Sequence, residues 1–181
     1  LTLSQYGDVK AQGIFELAYK TVSLSRNIIV AGLLASIPTL TNLFNSSISE
    51  AKEFYKKAQR KLFFYSTIVM LFIALLSPLV SIVWMGNLDY EYILLVNIFV
   101  AGYWVNTLAA NAYNLGFASG IMKYNLVSSI LLLSSFFLIH LLLEGFDLSS
   151  AIIVTIATNL SLIISGTYIK IFNEKKILTT Y

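Results

Sequence analysis

The sequence predicts an all-α membrane protein, a polytopic bundle of about five transmembrane helices. Of its 181 residues, 57% are hydrophobic and 12% are charged, whereas soluble domains carry about 25% charged residues. Apolar runs of about 20 residues, which is the length that crosses a bilayer core, recur along the chain. The run at 130–139 is apolar on both faces of a strand, which excludes the alternating pattern of a β-barrel.

Apolar windows of about 20 residues give the boundaries of the predicted transmembrane helices. The spans are predicted at about 12–41, 62–85, 92–116, 124–143 and 149–171, and short connections make the later ones antiparallel neighbours. Ser47 and Glu50 form an S-x-x-E capping box at the start of an amphipathic stretch over 47–61. We expect a short interfacial helix there, with its lysines toward anionic headgroups. The alternative is a solvated basic loop that only fixes topology.

The basic residues outside the spans predict the orientation. Nine of them fall on one side: Lys52, Lys56, Lys57, Arg60, Lys61, Lys123, Lys170, Lys175 and Lys176. The other side has only Lys10 and collects acidic residues. Because cytoplasmic loops carry the excess of Lys and Arg, the first span runs inward and the C-terminus is predicted to be cytoplasmic. An odd number of spans and a start at Leu1 lead us to expect a fragment of a longer protein.

Three charged residues interrupt the first span. Glu16 and Lys20 have the i, i+4 spacing of an ion pair, which leaves Arg26 uncompensated. A charge at the bilayer centre costs roughly 2.5–3.5 kcal/mol on insertion scales, so Arg26 and Lys20 predict a cationic site facing a cavity, with Glu16 beside it. In the alternative, Glu16 and Lys20 reach the outer interface. Pro38, further along, is predicted to act as a hinge or as a simple helix terminator.

The third span carries a polar stripe roughly 100° wide. Its members are Asn97, Trp104, Thr107, Asn111 and Asn114. Amides, hydroxyls and aromatic rings on one face suit the hydroxyls and ring faces of sugars, and we treat these residues as candidate substrate contacts. Hydrogen bonds between helices would satisfy the same side chains equally well without a ligand.

The residues for enzymatic chemistry are missing from the sequence. There is no cysteine, one histidine, and no phosphate-binding loop, zinc-protease or nucleophile-elbow motif. We therefore expect no catalytic residues, no metal site, no cofactor and no enzymatic activity.

Five stretches of the sequence form a recognisable series: residues 13–24 (GIFELAYKTVSL), 37–40 (IPTL), the basic linker at 49–61, the span end at 81–86 (SIVWMG) and the turn at 115–120 (LGFASG) before Lys123. Together they resemble the polysaccharide and O-antigen flippases of the multidrug/oligosaccharidyl-lipid/polysaccharide exporter superfamily. In that family a G-x-[YF]-x-L-A-x-[KR] motif opens the eighth helix and a proline lies at its inner end.

The resemblance implies the C-terminal lobe of an exporter of about twelve helices. It implies translocation of undecaprenyl-pyrophosphate-linked oligosaccharide across the cytoplasmic membrane for surface polysaccharide biosynthesis, with Arg26 and Lys20 toward the pyrophosphate. Its partners would be the lipid-linked glycan, membrane lipids, an N-terminal lobe of the same protein and polysaccharide polymerase or assembly proteins, and no nucleic acid. The alternatives are a cation-coupled multidrug exporter of the same superfamily and a non-transporting membrane scaffold.

Overall fold

A computed structural model describes residues 9–146 and 148–180, with side chains described as far as residue 177. This part of the chain contains helices and no strand. The helices are α1 (Val9–Leu34), α2 (Ser36–Ser46), α3 (Ile48–Met85), α4 (Tyr90–Ala118), α5 (Lys123–Leu143) and α6 (Ser150–Thr180). With α1 and α2 taken together, the described residues hold five helical segments long and apolar enough to cross a membrane. The predicted all-α polytopic bundle is confirmed.

A break at Ala35 separates α1 from α2. It lies three residues before Pro38, where a proline removes one backbone N–H and its ring clashes with the carbonyl of Leu34. The chain resumes as a helix at once and continues to Ser46. The first apolar segment is therefore longer than the predicted span at 12–41, and the helix resumes through its proline instead of ending there.

The expected short helix over 47–61 is instead the first part of α3. No glycine or proline separates it from the following apolar span, so the helix runs without interruption to Met85. Ser47 is the N-cap, as the capping box predicts, and its hydroxyl accepts the backbone N–H of Glu50 at 3.5 Å. The basic residues between 52 and 61 therefore lie on the same continuous helix as the apolar span that follows them.

Helix α4 lies at the centre of the bundle. It packs against α1, α3 and α6, while α5 packs mainly on α6. In α4 and in α6, half of the residues in the most apolar stretch are buried, whereas 6% to 17% are buried in the other spans. Helices α4 and α6 therefore form the core, and the other helices expose apolar faces. The contact between α4 and α6 requires a glycine at position 102. A Cβ at Gly102 would lie 2.9 Å from the backbone oxygen of Asn159 and would collide with the Asn159 side chain.

We predict that Gly102→Ala destabilises the protein by about 1–3 kcal/mol, the usual cost of overpacking. The Asn159 side chain can move aside, but its backbone oxygen cannot do so without separating α4 from α6. Gly32→Ala is the matched control, since open space surrounds that position and alanine favours a helix by up to about 1 kcal/mol. Unfolding in mixed micelles measures both, and equal stability of the two variants would contradict the close approach.

Candidate functional site

A cavity of about 260 Å³ lies between α1, α4, α5 and α6. On α4 it extends from Asn106 to Phe117, which lie in the C-terminal half of that helix. Its polar lining consists of Arg26, Asn106, Tyr113, Asn114, Ser128, Ser129 and Ser165. The rest of the wall is apolar, so a few polar groups converge in a largely hydrophobic space, as in small-molecule sites.

Arg26 supplies the only formal charge among the described residues that line this cavity. Its Nη1 donates to the side-chain oxygen of Asn27 at 3.2 Å, and its Nε is buried without a hydrogen-bond partner. A buried donor on a charged group is costly to leave unsatisfied. An anionic oxygen in the cavity would offset that cost, since the guanidinium can offer a planar fork of donors.

Asn114 connects the cavity wall to the break between α1 and α2. It is nearly fully buried, and its Nδ2 donates to the backbone oxygen of Leu33 at 3.3 Å. The hydroxyl of Ser36 donates to the same oxygen at 2.6 Å. The last turn of α1, next to the break, is therefore hydrogen-bonded to a residue that lines the cavity.

The other two charges predicted on α1 lie outside the cavity. Lys20 Nζ and Glu16 Oε2 are 3.2 Å apart, and their side chains are 64% and 51% exposed in the bundle. The predicted i, i+4 ion pair is confirmed. The structure does not bring this pair together with Arg26 in one site.

The polar stripe of α4 also divides between different neighbours. Trp104 Nε1 donates to Thr67 Oγ1 at 3.1 Å, and Asn111 Nδ2 donates to Gln59 Oε1 at 3.1 Å and to the backbone oxygen of Tyr55 at 3.3 Å. All three acceptors belong to α3. Trp104 and Asn111 thus take the interhelical hydrogen bonds that sequence reasoning left open as an alternative.

Two further members of the stripe bond to their own helix. The buried Thr107 hydroxyl donates to the backbone oxygen of Tyr103 at 2.6 Å, and the exposed Asn97 donates to that of Ile93 at 2.8 Å. Neither lines the cavity. Of the five candidate contacts on α4, Asn114 alone is brought together with Arg26.

Sequence reasoning missed the contribution of α5 to the cavity. Ser128 donates to the backbone oxygen of Ser165 on α6 at 3.0 Å, and both line the cavity. Below them, buried Asn173 donates to the backbone oxygen of Ala112 at 2.7 Å and to Asn125 Oδ1 at 2.9 Å. The sequence signal available for this contact was that serines occur at matching depths in two adjacent antiparallel spans.

Within the described residues, no group of three acidic or histidine side chains could hold a metal ion. The single histidine, His140, is nearly buried, and its Nδ1 lies 3.2 Å from Glu144 Oε1 at the opposite end of α5 from the cavity.

Comparison of the chain with protein-family profiles, curated proteins and solved structures found no match. The fold itself defines the class: this is a multi-pass helical membrane protein.

We predict that Asn111→Ala destabilises the fold by about 1–2 kcal/mol, because it breaks a buried hydrogen bond between α3 and α4. Asn97→Ala is the matched control on the same helix and should change stability by less than about 0.5 kcal/mol, as expected for an exposed position. Denaturant titration in micelles measures both. Equal stability of the Asn111→Ala and Asn97→Ala proteins would contradict a stabilising role for the hydrogen bonds between Asn111 and α3.

Proposed function

We propose that this chain is part of a membrane transporter that moves lipid-linked oligosaccharide, carried on a polyprenyl pyrophosphate, from the inner to the outer leaflet of the cytoplasmic membrane. The observation that carries the proposal is the buried, unpartnered Nε of Arg26 in a cavity whose described lining holds no acidic residue. The sequence resemblance to polysaccharide flippases supports the same substrate class.

The cavity chemistry suits a pyrophosphate attached to a sugar. Phosphate oxygens would accept the Nε and terminal N–H groups of Arg26. The amides of Asn106 and Asn114 and the hydroxyls of Ser128 and Ser129 offer both donors and acceptors, which is what sugar hydroxyls require. A volume of about 260 Å³ suits a headgroup and its first sugar, with the remaining glycan outside.

Transport also needs two conformations with different affinities for the substrate. The break at Ala35, held to the cavity by Asn114, offers a place where the chain can bend. Substrate bound at Arg26 would favour the conformation in which these walls close around it. The proposed orientation places the cavity on the cytoplasmic half, where lipid-linked precursors are made available.

A non-transporting scaffold is the second candidate, and one observation favours it. Trp104 and Asn111 donate their side-chain hydrogen bonds to residues of α3, so these side chains need no ligand. A cation-coupled drug exporter is less well supported, because Glu16 is half exposed and already paired with Lys20.

We predict that Arg26→Ala abolishes glycan export and that Arg26→Lys restores only part of it, since lysine keeps the charge and loses the fork. The host gene is deleted, and surface glycan is compared after rescue by wild type and each variant at matched membrane levels. Lys10→Gln, an exposed change on the same helix, is the control and should export normally.

Loss of surface polymer with accumulation of lipid-linked repeats on the inner leaflet is the expected result for Arg26→Ala. Normal polymer in that variant would remove Arg26 from the mechanism. Normal polymer in the deletion strain would reject the flippase itself and favour the scaffold.

A further inference from the structure

A second polar site lies on the other side of α4, between the first part of α3 and the last part of α6. It is a groove of about 460 Å³ lined by Tyr55, Lys56, Arg60, Phe63, Lys170 and Glu174, together with Gln59. We refer to it as the basic groove. It shares no lining residue with the Arg26 cavity.

The basic groove has an excess of positive charge. Lys56, Arg60 and Lys170 face one carboxylate, Glu174, whose Oε1 accepts a hydrogen bond from the Tyr55 hydroxyl at 2.7 Å. Glu174 is thereby held against α3, while no ion pair engages the three cations within the described residues. The groove also lies at the end of the bundle where the Lys and Arg residues concentrate, which is the cytoplasmic side by the charge rule.

An apolar pocket lies next to the basic groove, further along α3 and between α3 and α4. It measures about 220 Å³ and is lined by Thr67, Met70, Leu71, Val100, Ala101 and Trp104. Phe63, in the groove, contacts Trp104, in the pocket, with ring centroids 6.0 Å apart. From Arg60 to Leu71 the axial distance along α3 is about 16 Å at 1.5 Å per residue, close to half of a bilayer core of about 30 Å.

We infer that the basic groove and the apolar pocket together bind one anionic phospholipid of the cytoplasmic leaflet. The phosphate-bearing headgroup lies among Lys56, Arg60 and Lys170, and an acyl chain passes Phe63 and lies against Trp104. Basic pockets between spans on the cytoplasmic side suit such headgroups. The inference does not depend on the proposed transport, because it uses the opposite face of α4.

The test uses Trp104 as the reporter. The chain has two tryptophans, so Trp84→Phe leaves one, and the full chain carrying this change is reconstituted in phosphatidylcholine vesicles. Dibrominated phosphatidylglycerol or dibrominated phosphatidylcholine is then titrated, since bromine quenches tryptophan on contact. We expect phosphatidylglycerol to associate about 25-fold more tightly, because the groove has two net positive charges and each nearby Lys or Arg is worth about fivefold in affinity for anionic lipid.

Arg60→Gln combined with Lys170→Gln should remove most of this preference. Lys61→Gln combined with Lys176→Gln is the matched control, as it removes the same charge from the same helices outside the groove, and it should change the preference by less than about twofold. Millimolar inorganic phosphate should leave quenching unchanged, because it lacks the acyl chain.

Three results would overturn the inference. Equal quenching by the two lipids would mean that no headgroup is recognised. An equal loss in the control variant would reduce the effect to general surface charge. Displacement by inorganic phosphate would show an anion site instead of a phospholipid site. Circular dichroism of each variant checks that the fold is retained.

Discussion

The close backbone contact between α4 and α6 determines how the other helices are arranged. Lipid tails are as apolar as leucine, so helices in a membrane associate through close packing and hydrogen bonds. Gly102 allows α4 to reach the backbone of Asn159, and at Gly166 of α6 a Cβ would lie 3.4 Å from the Cβ of Ala109. Helices α1 and α3 then pack on the remaining sides of α4, and α5 packs on α6.

The buried polar groups follow from this contact. Asn111 and Asn173 donate to backbone oxygens of neighbouring helices, using the second lone pair that a helical carbonyl keeps free. Four buried side-chain atoms of the described residues lack a partner, on Arg26, Thr155, Asn159 and Asn173. Arg26 is the charged one. Its position in a cavity distinguishes it from polar groups that serve only to join helices.

The sequence predicts the helices better than it predicts what they face. Apolar length and the Ser47 cap locate the spans, because both signals are local. The stripe from Asn97 to Asn114 could not be assigned from periodicity, since a central helix presents one face to several neighbours and the partners Thr67 and Gln59 lie far away in the sequence. The matching serines on α5 and α6 were the available signal, but a hydroxyl can also bond to its own helix, so the signal did not by itself identify a cavity wall.

The same reasoning explains the errors in the α1–α3 region. Pro38 follows a one-residue break in the helix at Ala35, but the following residues resume the helix as far as Ser46. The basic stretch after Ser47 was expected to lie apart from the next span, yet nothing in its sequence stops a helix. The resemblance to flippases, and the roles it implies, stay predictions.

The most direct test of the Arg26 cavity is the affinity of the reconstituted protein for a short polyprenyl pyrophosphate compared with the matching polyprenyl alcohol. The account predicts a preference for the pyrophosphate of about tenfold or more, as expected for hydrogen bonds to a charged group worth about 1.5–3 kcal/mol. Measured with Arg60→Gln and Lys170→Gln already in place, so that the basic groove does not contribute, this preference should remain, and adding Arg26→Gln should remove it. Equal affinity for the two ligands in the unaltered protein would contradict an anion site at Arg26.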